Sequence, residues 1–81
     1  IQRIESLENA AKEVGGDKID EVFAIRAGRE LRVIVKPNLI SDDEMTVLAK
    51  DLAETIEKTQ NYPGNVEVTL IRETRAVEIA K

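Results

Sequence analysis

The sequence predicts an α+β domain with a two-layer α-β-β-α-β order, in which two helices lie on one face of a three-stranded mixed sheet. Three observations lead to this fold class: two amphipathic helical patterns, two strand-like runs that meet at a glycine-bearing turn, and a third alternating run after the second helix. The 81 residues contain one Phe, one Tyr and no Trp, so the core is expected to be aliphatic. This length favours one domain, residues 1–81.

The first predicted helix covers residues 3–14. Its apolar residues recur at intervals of three and four and form one narrow stripe, and Gly15 and Gly16 are expected to end it. The stripe is compatible with two arrangements: a helix packed on the sheet, or one that continues upstream as a longer helix or linker. Residues 17–21 are expected to form a polar connection into the first strand. The stripe consists of Ile4, Leu7, Ala11 and Val14.

Residues 22–37 predict a β-hairpin. We expect a three-residue loop, residues 27–29, with Gly28 in a left-handed conformation. This register sets Phe23 opposite Val33 on the core face and Arg26 opposite Glu30 on the other face. A two-residue loop at Ala27 and Gly28 is the alternative, and it is disfavoured here because it turns Phe23 away from the core.

The second predicted helix covers residues 42–59. Ser41 and Glu44 have the spacing of a capping box, and an apolar stripe runs along the helix. A turn at Tyr62-Pro63-Gly64 then leads into a third strand, residues 66–71. The stripe consists of Met45, Leu48, Ala49, Leu52, Ala53 and Ile56.

The handedness of strand-helix-strand connections makes the third strand parallel to the second. We expect the third strand to pair beside the first, which gives the strand order 3-1-2. One sheet face then has no helix over it, and its apolar residues are candidates for an interface. We expect this open face to be covered by the C-terminal tail, by a second copy of the chain or by another domain. The candidate interface residues are Val22, Ala24, Ile34 and Ile71.

Positive charge is concentrated in the sheet, although the net charge of the chain is −4. Five arginines are candidate RNA-phosphate contacts. The alternative is that Glu30, Glu73 and Glu78 neutralise them on a solvated surface or an interface. The absence of aromatic residues from the predicted open face weakens the RNA interpretation. The five are Arg26, Arg29, Arg32, Arg72 and Arg75.

No catalytic residue and no metal ligand is predicted in this sequence. It contains no His and no Cys, so neither a nucleophile with a histidine base nor a thiolate metal site is available. The acidic residues Asp42, Asp43 and Glu44 are explained by their place at a helix start. No apolar run approaches the roughly 18 to 20 residues of a membrane span.

Two long segments carry a family resemblance, FAIRAGRELRVIVKP and YPGNVEVTLIRETRAVEIAK, together with RIESLE near the start. In this order and spacing they resemble the C-terminal domain of the ribonuclease Y family. The resemblance covers nearly all of the chain, including the helix between the two segments.

The resemblance implies a bacterial endoribonuclease that starts messenger RNA decay. Such a parent has an N-terminal membrane anchor, a coiled coil, a KH domain and a metal-dependent HD domain upstream of this C-terminal domain. It implies a divalent metal in the HD domain, none in residues 1–81, and a location at the cytoplasmic side of the cell membrane. The expected partners are the parent's own HD domain or a second copy, with RNA reached through the parent. The fragment itself is expected to be soluble, without direct membrane contact.

Overall fold

The structure, a computed structural model, describes residues 2–59 and 64–81. Helix α1 is Gln2–Gly15, and a short 3-10 turn, Gly16–Lys18, follows it. The strands are β1, Ile19–Ile25; β2, Glu30–Val35; and β3, Glu67–Arg72, with helix α2, Asp42–Thr59, between the last two. The predicted α+β class and element order are confirmed. The predicted turn residues Tyr62 and Pro63 lie outside the described residues.

One hydrophobic core lies between the sheet and the two helices. It joins alternate residues of β2 to the apolar stripes of α1 and α2, so both helices cover the same sheet face. Ala53 of the predicted α2 stripe is exposed instead. The largest fully buried side chains are Leu7, Leu31, Leu52, Val33 and Val35.

The predicted strand order 3-1-2 is wrong. The order is β1-β2-β3, with β1 antiparallel and β3 parallel to β2. The burial of β2 explains its central place, since none of its residues is exposed. Strand β1 instead has features of a protected edge, because Asp20 and Glu21 are exposed and a bulge shifts the register between Ile19 and Glu21. The parallel pairing of β2 with β3 was predicted correctly.

The predicted hairpin register is also wrong. Phe23 pairs with Arg32 and Val22 with Val33, as in the two-residue loop. Arg26, Ala27 and Gly28 have φ angles of 53°, 56° and 83°, and the Arg29 backbone N–H donates to the Arg26 carbonyl oxygen at 3.2 Å. Ala27 and Gly28 are thus the central residues of the turn, and positive φ at both central positions is typical of the type I′ turn, whose twist matches that of the strands. The turn therefore sets the register, and as a result the only Phe of the chain is not buried.

The connection between α1 and β1 is tighter than the sequence indicated. Ile19, Asp20 and Glu21, expected in a polar connection, belong to β1. A Cβ atom placed on Gly15 would overlap the side chain of Ile19. The end of α1 therefore approaches the start of β1 more closely than a residue with a side chain would allow.

The start of α2 has the predicted capping box. The Ser41 backbone N–H donates to Glu44 Oε1 at 2.9 Å, and the Glu44 backbone N–H donates to Ser41 Oγ at 3.2 Å. Lys18 Nζ also donates to Glu44 Oε2 at 3.1 Å. The pKa of Glu44 is lowered, chiefly by the hydrogen bond from the Ser41 backbone. This box fixes where α2 begins after the loop from β2.

Candidate interaction surface on the outer sheet face

The sheet has an outer face, turned away from α1 and α2. The strand registers place three residues of each strand on it, in three rows across the sheet. One row is Glu21, Ile34 and Ile71; the next is Phe23, Arg32 and Thr69; the third is Ile25, Glu30 and Glu67. Arg32 therefore lies at the centre of this face.

Four apolar side chains form a diagonal band across the outer face, which we call the apolar outer patch: Phe23, Ile25, Ile34 and Ile71. Ile34 pairs with Ile71, while Phe23 and Ile25 follow one another on β1. None of the four belongs to the core cluster or packs against it. Phe23 is 45% exposed, although Phe is among the residue types most often buried.

Two of the predicted interface residues lie on the other side of the sheet. Val22 and Ala24 pack against the core cluster, so their assignment to the open face is wrong. The cause is the hairpin register, because a shift by one residue exchanges the faces of a strand. Ile34 and Ile71 lie on the outer face as predicted. Sequence reasoning missed Phe23 and Ile25, for which the Ala-Gly pair at the turn was the available signal.

Glu30 lies beside the apolar outer patch and is only 5% exposed. Arg26 Nη2 donates to its Oε1 at 2.8 Å. Arg32 Nε and Nη2 donate to its Oε2 at 3.3 and 3.1 Å, and Thr69 Oγ1 donates to the same oxygen at 3.3 Å. The hydrogen bond from Arg32 is the largest cause of the lowered pKa of Glu30. This group, the Glu30 network, joins the hairpin turn, β2 and β3.

The five candidate arginines do not form one cluster. Arg26 and Arg32 share Glu30 on the outer face. Arg72 lies at the other layer, where its Nη1 donates to the carbonyl oxygen of Ile40 at 3.0 Å and its Nη2 pairs with Asp42. Arg75 pairs with Glu73, which raises the pKa of Arg75. Arg29, in the hairpin loop, is exposed and forms no ion pair within the described residues.

A cleft opens on the helical side of the domain, between the end of α1 and the start of α2. Its volume is about 390 Å³, with Val14, Gly15 and Leu48 among its lining residues and Asp43, Glu44 and Asp51 as its carboxylates. The capping box and Lys18 account for Glu44. The cleft presents no histidine or thiol that could act in catalysis.

No metal-binding group was found in the part of the chain that the structure describes, residues 2–59 and 64–81. Within the same residues, no helix has both the length and the apolar character that a membrane span requires.

The fold and the outer face define a small α+β module with one sheet face that is apolar, partly charged and not covered by a helix. No protein-family model matches the chain, and no solved structure matches it. Curated relatives do match over all 81 residues. Ribonuclease Y of Thermus thermophilus is 54% identical, that of Latilactobacillus sakei 53% and that of Fusobacterium nucleatum 48%.

The chain covers only 14%, 15% and 16% of the length of these three relatives, respectively. The identity extends over the whole chain and includes both segments that carry the resemblance. The chain belongs to the ribonuclease Y family and corresponds to its C-terminal domain.

Proposed function

We propose that this domain is a non-catalytic interaction domain of a ribonuclease Y-like endoribonuclease, and that it works through its outer sheet face. It docks there on the parent's upstream HD domain or on a second copy of itself. The apolar outer patch carries this proposal, because Phe23, Ile25, Ile34 and Ile71 pack against nothing in the core. Apolar bands on one side of a sheet are typical of surfaces that a partner covers.

The composition of the outer face supports the same proposal. Aromatic and Arg side chains are enriched in protein interfaces, and Phe23 lies opposite Arg32. The Glu30 network already neutralises much of the charge, so a partner covering this face does not have to desolvate an unpaired carboxylate. Full burial of one large apolar side chain stabilises a contact by about 1.5 to 3 kcal/mol.

Sedimentation equilibrium and a binding assay together test this proposal. Ile34→Glu places a charge in the middle of the patch, and Val47→Glu is the matched control, since Val47 is an exposed residue of α2. Ile34→Glu is expected to weaken self-association, or binding to the remainder of the parent, at least about tenfold. Val47→Glu should leave both unchanged. Equal behaviour of the two variants in both assays would refute the proposed use of the outer face.

The hydrolysis of RNA takes place in the parent, outside this chain. The parent is a hydrolase, a metal-dependent HD-domain endoribonuclease that begins messenger RNA decay at the cytoplasmic side of the cell membrane. The relatives are ribonucleases Y, which supports the nuclease activity of the parent. The HD domain binds the divalent metal, whose role is to activate a water for hydrolysis. A preparation of residues 1–81 alone is expected to leave RNA uncut in the presence of Mg²⁺ or Mn²⁺.

A second candidate function is accessory binding of single-stranded RNA by the hairpin. The observation that favours it is the position of Phe23, which the sequence placed in the core. An aromatic ring on a sheet face can stack on a base. Phe23 lies opposite Arg32, and Arg29 is exposed in the hairpin loop. Against this candidate, Arg26 and Arg32 are bound to Glu30, while Arg72 and Arg75 have carboxylate partners elsewhere.

Fluorescence anisotropy with a labelled single-stranded RNA at low salt separates the two candidates. The RNA candidate predicts that Arg29→Glu and Phe23→Ala each weaken binding, and that the affinity falls as salt rises. Arg75→Glu is the control, because Arg75 lies outside the hairpin and pairs with Glu73. Undetectable binding, or equal losses in all three variants, would eliminate the hairpin as an RNA site.

A further inference from the structure

The segment after β3 is extended and presents apolar residues to solvent. Residues 74–81, which we call the tail, form neither helix nor strand. Val77 and Ile79 are 78% and 79% exposed and alternate with the charged Glu78. No backbone hydrogen bond joins the tail to the described rest of the chain. An extended segment with β-branched residues in alternation is suited to lie against a sheet.

The start of the tail lies beside the outer face, where Arg75 lines a small cleft together with Ile34 and Glu21. The tail contains neither Gly nor Pro, the residues that most readily reverse a chain. Beyond Arg75, the tail residues Val77 and Ile79 stay exposed within one chain, and so does Phe23 of the apolar outer patch, at 45%.

The tail and the patch are complementary in length and in chemistry. Eight extended residues reach about 26 Å, and the strands of the sheet are about 20 Å long. Three strands of this length have a flat footprint of only about 300 Å², whereas a standard interface buries about 800 Å² of accessible surface per partner. Flat contact between two outer faces is thus too small, and a tail lying across each face adds to the contact area.

We infer that two copies of this chain exchange their tails, with Val77 and Ile79 of each copy lying on the apolar outer patch of the other. This inference rests on the proposed function of the outer face and names a second copy as its occupant. The same chain carries both an uncovered apolar tail and an uncovered apolar face. In a dimer with a two-fold axis, each tail lies on the patch of the other copy. Both tail-on-patch contacts are then used within the dimer, so no further copy is added.

A mixing experiment tests the exchange. The variant Val77→Asp with Ile79→Asp lacks a working tail but keeps its patch, and Ile34→Glu lacks a working patch but keeps its tail. Each variant alone is expected to dimerise at least about tenfold more weakly than the unchanged chain. Mixed in equal amounts, the two retain one tail-on-patch contact, so their mixture should form more dimer than either alone. Val47→Glu is the control and should dimerise normally.

Disulfide trapping identifies the contact, because the chain contains no Cys of its own. A mixture of Val77→Cys and Ile34→Cys chains is expected to form a covalent heterodimer on mild oxidation. With both substitutions in one chain, the product should be dimeric. A monomeric disulfide would show that the tail covers its own patch and would overturn the inference.

The outcomes separate this inference from the proposed function. If Ile34→Glu weakens the dimer and the tail variant does not, the exchange is wrong and the outer face remains the interface. If the unchanged chain is a monomer at all concentrations, the exchange is also wrong. The outer face is then judged by its binding to the remainder of the parent.

Discussion

Glu30 shows how one residue organises the outer face. Its carboxylate accepts hydrogen bonds from Arg26, Arg32 and Thr69, and so connects the hairpin loop, β2 and β3. The side chains that would otherwise carry free positive charge at the hairpin are held in place by this one acid. The sequence indicated the residue types, and it indicated the Arg26 pairing, but the contact with Thr69 depends on a strand 39 positions away.

Glu30→Gln is expected to lower the free energy of unfolding, since the amide loses the charge that both arginines share. Glu67→Gln is the control, because Glu67 lies beside Glu30 in the same row but is exposed. The pKa of Glu30 is lowered below its ordinary value of 4.5 in the folded chain. Its stabilisation is therefore fully present above pH 4.5 and is lost as the pH falls through the lowered pKa.

Urea denaturation over a pH series measures this effect. The difference in unfolding free energy between the unchanged chain and Glu30→Gln should stay constant between about pH 6 and 8 and shrink below about pH 4.5. A difference that is independent of pH across this range would contradict the role given to the carboxylate charge.

Among the elements, α2 was predictable from sequence, whereas the hairpin was predictable as an element but not in its register. The capping box and apolar stripe of α2 are local signals, and its predicted bounds match the structure. Strand β1 is apolar on both faces, since Val22 and Ala24 alternate with Phe23 and Ile25. Burial preference alone then cannot choose the register. The turn geometry at Ala27 and Gly28 determines the register. In the strand order, β2 is central, and it is the strand with no exposed residue.

The hairpin turn yields a prediction at the level of the element. Ala27→Asn should raise the stability of the domain, because Asn tolerates the left-handed φ of 56° better than Ala does. Gly28→Ala should lower the stability by about 1 to 2 kcal/mol, since its φ is 83°. Thermal unfolding measures both. Stabilisation by Gly28→Ala would contradict the two-residue turn and its register.

The start of α2 gives a second prediction at this level. Ser41→Ala should lower the unfolding free energy by about 1 kcal/mol, because it removes the hydroxyl that accepts the Glu44 backbone N–H. Ser6→Ala is the matched control, as Ser6 is exposed within α1 and should change the stability by less than about 0.5 kcal/mol. Equal effects of the two substitutions would argue against the capping box.

The whole molecule has one sheet face covered by helices and one face left open. Both the α+β fold class and the existence of an apolar open sheet face were predictable from the alternation of apolar and polar residues in the strands. The residues that β2 and β3 contribute to that face were also predictable, as Ile34 and Ile71 show, but those of β1 were not, because they depend on a register set by the turn. The arginines themselves could be picked out from the sequence. Their distribution over both sides of the sheet could not, because Arg72 binds Asp42 and the Ile40 carbonyl oxygen on the helical side.

Mapping the interface by amide chemical shifts tests whether the outer sheet face is the interaction surface. Spectra of the chain are compared at increasing concentration and after addition of the remainder of the parent. We expect shifts concentrated at Phe23, Arg32, Thr69 and Ile71, with α2 residues such as Val47 unchanged. Shifts confined to the helices, or no shifts under either condition, would contradict this use of the outer face.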